Sequence, residues 1–198
     1  MFADSNTTRH PDLGGARAVK LLIAGGFGVG KTTLVSTLSE IQPLRTEERL
    51  SEIGAAFDDL TGVSGKTTTT VALDFGRITI NPELVLYLFG TPGQERFWFM
   101  WKELSAGALG AIVLADTRRL GECFSALDFF ESQSIPFIVA VNCFDGADRY
   151  PEEEMRDALD IGRHVPVQFC DARQRSSAKQ VLVRLLEYLM GAMTATTG

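Results

Sequence analysis

Residues 25–33 read GGFGVGKTT, and no other stretch of the chain restricts the possible folds so strongly. Gly25, then Gly30, Lys31 and Thr32 satisfy the phosphate-loop pattern G-x4-G-K-[ST]. The pattern has meaning only between a strand and a helix. Residues 18–24 are a short apolar run that predicts a buried strand, and residues 31–39 read as a helix. Glycines let the backbone from Gly25 through Gly26, Phe27, Gly28 and Val29 to Gly30 curl with its N–H groups inward, toward phosphate oxygens. The helix N-terminus adds partial positive charge. Lys31 brings an ammonium to the outer phosphates, Thr32 a hydroxyl for Mg²⁺, and Thr33 carries the loop into the helix. Nucleotide binding is the expectation. Phe27 is the unusual member of the loop, read either as local packing or as a wall beside the terminal phosphate that would obstruct an arginine from a partner.

The rest of the chain alternates strand and helix patterns. Residues 69–80 and 84–89 read as strands joined by a tight turn at Asn81 and Pro82, and 111–115, 137–141 and 165–170 as three more. Helical patterns occupy 97–105, 123–132 and 151–161, the last with Pro151 at its start. A final helix begins near Ser176 and Ser177, with Ala178, Val181, Leu182, Leu185, Leu186 and Leu189 recurring at helical spacing. This order predicts an α/β fold: a six-stranded, mostly parallel sheet with one antiparallel edge strand, about five helices, and ligands at the carboxyl ends of the strands. Residues 41–66 read as a long polar connection with a weak helical hint at 46–53, and such connections are usually functional or mobile. The expected division is a flexible arm over 1–17, one nucleotide-binding domain over 18–193, and a short tail over 194–198.

Several partner classes are disfavoured. The net charge of −6 and the lack of a basic tract argue against nucleic acid. Apolar stretches such as 109–115 are too short to span a bilayer, and the polar N-terminus lacks a signal-peptide core. Phe2 follows Met1, and the last five residues hold no cysteine, so no lipid anchor is expected. Cys123, Cys143 and Cys170 have no metal-ligand spacing and read as reduced thiols of a cytoplasmic protein, with any membrane recruitment left to a partner. The aromatic run 97–101 is read as core or as a partner surface, and Asp116-Thr117-Arg118-Arg119 as a solvated turn sooner than a loop near the nucleotide.

Two further segments complete the pattern, GTPGQE at 90–95 and VAVNCFD at 139–145. With the phosphate loop, they resemble the Ras-like small GTPases, in particular the bacterial branch typified by the gliding-motility protein MglA and, within it, the small GTPases encoded in actinomycete conservons. The resemblance covers roughly residues 18–190. It implies a GTP/GDP switch with Mg²⁺. Thr70, ahead of VALDF at 71–75, corresponds to the switch threonine that ligates Mg²⁺, with the run 67–70 leaving its register open by one or two residues. Thr69 stands where some members carry an internal arginine. Gly93 corresponds to the residue whose N–H meets the γ-phosphate, and Gln94 to the one that orients the attacking water. Gly90 replaces the usual aspartate, which implies a weaker hold on Mg²⁺. Asn142 corresponds to a brace between loops and Asp145 to the acceptor of the guanine N1–H and amino group. Cys143 replaces a lysine that packs along the base. Ala172 corresponds to the residue whose N–H meets the guanine O6, and Arg173 stands as a lysine-like variant beside it. No arginine among Arg45, Arg49 and Arg96 stands out as catalytic, which implies slow intrinsic turnover. The conservon resemblance adds a roadblock-type protein and a sensor-kinase-like membrane protein as expected partners. The competing readings are a GTP-locked adaptor without hydrolysis and a P-loop kinase or ATPase.

Overall fold

Successive side chains of a buried strand point to opposite faces, and β1 (Arg17–Gly25) shows the consequence: Leu21 and Ile23 enter one core, Leu22 and Ala24 the other. β5 (Ala108–Ala115) repeats it, with Ile112 and Leu114 on the first side and Ala111, Val113 and Ala115 on the second. β6 (Phe137–Asn142) does the same, with Ile138 and Ala140 against Phe137, Val139 and Val141. A continuous apolar run is therefore what a strand covered on both faces requires. The first core is closed by α1 (Lys31–Leu38) and α5 (Arg175–Ala195), through Leu34, Val35, Leu38, Val181, Leu185 and Leu189. The second is closed by α2 (Trp98–Ser105), α3 (Phe124–Ser132) and α4 (Glu152–Ala158), through Trp101, Leu127, Phe130 and Met155. These coordinates are a computed structural model that describes residues 17–42, 44–49, 70–93 and 98–195.

All six expected strands form, and a seventh joins them. The sheet order is β2-β3-β4-β1-β5-β6-β7, completed by β2 (Leu44–Arg49), β3 (Thr70–Asn81), β4 (Leu84–Gly90) and β7 (Val167–Cys170). β4, β1, β5, β6 and β7 run parallel. β3 returns antiparallel to β4, and β2 lies antiparallel to β3 at the edge. The weak helical hint at 46–53 is thus corrected for 46–49, while 50–53 lie outside the described residues: 44–49 pair with 70–75 of β3, and tertiary pairing overrides local propensity. The final helix reaches Ala195, past the expected boundary at 193, and β1 starts at Arg17.

This topology sets the site. The five parallel strands end at one edge, so the segments after residues 25, 90, 115, 142 and 170 gather there. β1 lies between β4 and β5, where the strand order reverses, the place at which ligands of open α/β sheets bind. Because β3 runs backwards, it is its beginning, not its end, that reaches this edge: Asp74 pairs with Gly90, the last residue of β4.

Candidate functional site

The loop after β1 closes on itself through Lys31. Its Nζ donates to the carbonyls of Gly25 at 2.9 Å and Gly26 at 2.6 Å. The side chain is buried, and desolvation pulls its pKa from 10.5 down to about 8, against the opposing pull of the Asp74 and Glu122 carboxylates. Gly30 caps α1 with φ +106°, a left-handed conformation that favours glycine, and a Cβ there would lie 2.6 Å from the Asn142 amide nitrogen. Gly93 comes in from the next loop, close enough that a Cβ on it would stand 2.6 Å from Lys31 Nζ. Thr91, between Gly90 and Gly93, is buried, and its hydroxyl has no partner among the described residues. Such a group gains when an acceptor enters. Phe27 is 64% exposed, which excludes local packing and leaves the ring standing out from the loop.

Asp74 was not singled out by the sequence as a site residue. The Thr32 hydroxyl donates to its Oδ2 at 2.5 Å. A Cβ on Gly90 would lie 3.0 Å from Asp74 Cβ and 3.1 Å from Oδ2, so the glycine makes room for this carboxylate. The acidic group missing from position 90 thus has a counterpart on the facing strand. The clue in the sequence was the VALDF segment, but only the β3–β4 register places its aspartate. Among the described residues no cluster of three or more His, Cys, Asp or Glu could hold a metal by itself. Mg²⁺ is commonly held by one or two protein oxygens together with substrate phosphates. Thr32 and Asp74 are hard oxygen donors of that kind. Gln94 lies outside the described residues, as do Thr67–Thr69 and Arg96. Thr70 opens β3, but its side chain is outside them too.

The turn after β5 is not a solvated one. Asp116 is 3% exposed and accepts from the backbone N–H of Arg118 at 3.0 Å and from its guanidinium at 2.9 and 2.8 Å. These bonds, the guanidinium's first, hold the Asp116 pKa below the usual carboxylate range against the opposing cost of burial. Arg119 breaks the helical geometry of residues 117–123 with φ −148° and ψ 50°, and its Nη2 donates to the Phe27 carbonyl at 2.9 Å. Its Nη1 meets Glu122 at 3.1 Å, and a Cβ on Gly26 would strike that carboxylate. The segment therefore grips the outside of the phosphate loop.

Asn142, 6% exposed at the end of β6, connects three segments. Its Nδ2 donates to the Val29 carbonyl at 2.9 Å, and its Oδ1 accepts the Ala172 N–H at 3.1 Å. The phosphate loop, the 142–145 loop and the 171–173 loop are thereby held together. Asp145 is exposed, and Arg173 donates to both its oxygens at 2.8 and 3.1 Å. That hydrogen bonding lowers the Asp145 pKa. Arg118 lies over the Phe144 ring at 3.9 Å. Trp101 Nε1 donates to the Pro92 carbonyl at 3.1 Å while the indole packs on Phe129 and Phe130, so Met100 and Trp101 belong to the core. Cys123 and Cys170 are buried free thiols pushed up to about 12 by desolvation; Cys143 is half-buried. No described helix is long and apolar enough to cross a membrane.

Residues 23–192 match the family model described as "Conserved hypothetical ATP binding protein". An uncharacterized protein of Methanocaldococcus jannaschii is 32% identical over 132 residues, 66% of this chain and 73% of that protein. The Ras-related protein Rab-7b of Homo sapiens is 31% identical over 158 residues, 75% of this chain and 70% of that protein. Among solved structures, the G domain of the T. maritima FeoB iron transporter superposes with TM-score 0.60 at 20% identity, covering 87% of this chain and 99% of that one. The cytosolic domain of the same transporter gives TM-score 0.62 at 19% identity, and here the chain spans only 64% of the other's length. The FeoB G-domain of Methanococcus jannaschii gives TM-score 0.59 at 12% identity.

Proposed function

The chain belongs to the P-loop family described as conserved hypothetical ATP-binding proteins and to the Ras-related G-domain proteins, and from that premise we propose that it is a regulatory switch cycling between GTP and GDP, with slow intrinsic hydrolysis. The observation that carries the reading is the Asn142 lock, which binds the phosphate loop to the loops bearing Asp145 and Ala172. Phosphate and base recognition then become parts of one rigid site. Asp145 is the discriminating group against the ATP in the family's description. Guanine offers its carboxylate two donors, N1–H and the exocyclic amine, whereas adenine presents an acceptor at N1. The Ala172 N–H, accepted by Asn142 Oδ1 in the free site, would be shared with O6 once the base enters.

At the other end, the inward N–H groups of the phosphate loop, with Lys31, take the β- and γ-phosphates, and phosphate oxygens replace the Gly25 and Gly26 carbonyls as acceptors for Nζ. Mg²⁺, when bound, neutralises phosphate charge, and the groups that fit it are the Thr32 hydroxyl, the Asp74 carboxylate and, from the switch segment, Thr70. Gly93 offers its N–H to the γ-phosphate. Gln94 orients a water whose oxygen bonds to the γ-phosphorus while the bond to the β–γ bridging oxygen breaks, leaving GDP and inorganic phosphate. The partner expectations are part of the same reading: a roadblock-type partner and recruitment by a sensor-kinase-like membrane protein follow from the MglA-like and conservon resemblance of the sequence, not from individual residues.

Two measurements test the reading. In competition against a fluorescent guanine nucleotide, GDP should outcompete ADP by at least about 10²-fold, since a paired polar site rejects a base that leaves its carboxylate unpaired. Equal competition removes the guanine assignment in favour of the ATPase reading. In single turnover, GTP should be cleaved at about 10⁻⁴ to 10⁻² per second, and Gln94→Leu should slow this by at least about tenfold, or ~1.4 kcal/mol of barrier. A wild-type rate no higher than that of free GTP would make the chain a GTP-locked adaptor.

A further inference from the structure

We propose that Arg173 competes with the nucleotide base for Asp145, because its guanidinium presents the carboxylate with the same two-donor edge that guanine does. The inference rests on the guanine reading of Asp145. Arg173 Nη1 donates to Asp145 Oδ2 at 2.8 Å and Nη2 to Oδ1 at 3.1 Å. A guanidinium edge carries two parallel N–H donors in a plane. The N1–H and amino group of guanine form an equivalent pair. A carboxylate engaged side-on by one fork has no second side-on face for another, so arginine and base are alternatives.

Two features make this a competitor and not a lock. The pair is open to solvent, with side chains 56% and 84% exposed, and exposed ion pairs are weak. Arg173 also has a second anchor. Its Nε donates to Asp171 Oδ1 at 2.9 Å, its Nη2 to Asp171 Oδ2 at 2.9 Å, and its backbone N–H to Oδ1 at 2.9 Å. Asp171 is held down at about 2, first by its hydrogen bonds from the Arg173 side chain, so this anchor stays ionised at working pH. Releasing Asp145 costs only the outer half of the network, and the guanidinium stays tethered beside the base loop. Lysine, the residue of related proteins at this point, has a single ammonium and cannot form the planar fork. Arg173 thus lowers affinity for guanine nucleotides and makes opening of the pair a step before the base docks. Because the effect acts at the base, GDP and GTP share it equally.

The test is stopped-flow and equilibrium binding of ribose-labelled fluorescent GDP and of a non-hydrolysable labelled GTP to wild type, Arg173→Ala and Arg173→Lys. Freeing the carboxylate should tighten binding of both nucleotides by about two- to fivefold, the range of exposed ion pairs, mostly through faster association. Arg173→Lys should fall close to Arg173→Ala. In an Asp145→Asn background probed with labelled xanthosine diphosphate, the gain from Arg173→Ala should shrink toward none, since an amide oxygen accepts only one arm of the fork. Unchanged or weaker GDP binding by Arg173→Ala, with guanine preference intact, overturns the competition and makes Arg173 a supporting contact. GDP and ADP binding the wild type equally removes the Asp145 reading and this inference with it.

Discussion

Replacing Asp74 by Asn probes the feature the sequence did not expose. The change keeps the side-chain shape and removes one charge. In the native arrangement the carboxylate accepts the Thr32 hydroxyl at 2.5 Å and stands against Gly90. Groups that orient and charge-balance a metal ligand typically account for about 10–100-fold in metal affinity, or ~1.4 to 2.7 kcal/mol. The Asp74 charge also raises the Lys31 pKa, so its loss makes the ammonium easier to deprotonate. Asp74→Asn should therefore shift the Mg²⁺ concentration that half-protects bound fluorescent GDP from release upward by about 10–100-fold, with the folded state retained. The assay is GDP release in Mg²⁺–EDTA buffers, paired with thermal unfolding of the metal-free protein. A relocation experiment sharpens it. Gly90→Asp alone crowds two carboxylates, because its Cβ would sit 3.1 Å from Asp74 Oδ2, and should weaken Mg²⁺ protection. Combined with Asp74→Ala it should restore protection to within about threefold of wild type, the usual context scatter of such terms. An unchanged Mg²⁺ midpoint in Asp74→Asn would refute the reasoning: the Thr32–Asp74 bond would then be a structural contact only.

Three other outcomes follow from the same geometry. Burial holds Lys31 near 8, so the ammonium is present in the free protein below that pH and lost above it; GDP affinity should fall between about pH 8 and 9 by up to about tenfold per unit, a trend calorimetry should find flattened in Lys31→Ala. Asn142→Ala leaves the Val29 carbonyl and Ala172 N–H without their partner in a buried place, which costs about 1–3 kcal/mol per group; chemical denaturation should show the loss, and guanine and adenine nucleotides should then be discriminated less. Under native conditions a thiol reagent should label Cys143 first, because Cys123 and Cys170 are buried and pushed to about 12; equal labelling of all three by mass spectrometry would contradict the burial.

What the sequence determined by itself is local and periodic. The phosphate loop between strand and helix followed from glycine spacing with Lys31 and Thr32, because that chemistry is written in consecutive residues. The alternating strands and helices followed from apolar runs, and the two-sided sheet from the continuous apolar segments 21–24, 111–115 and 137–141 within β1, β5 and β6. Tertiary structure decided what depends on distant pairing. β2 forms at 44–49, in a polar stretch with no strand signal, because β3 offers it an edge. Asp74 joins the site only because β3 runs antiparallel and its register sets it opposite Gly90. Asp116 and Arg119 read as a surface turn until the packing of residues 117–123 against the phosphate loop gives Arg119 the Phe27 carbonyl. Arg173 reads as a substitute for a lysine until the fold sets its guanidinium fork against a carboxylate 28 residues earlier in the chain. A pattern in sequence specifies backbone conformation and which side chains face inward; it does not specify which charges meet across a sheet or between loops, since register and loop packing are set by the whole core.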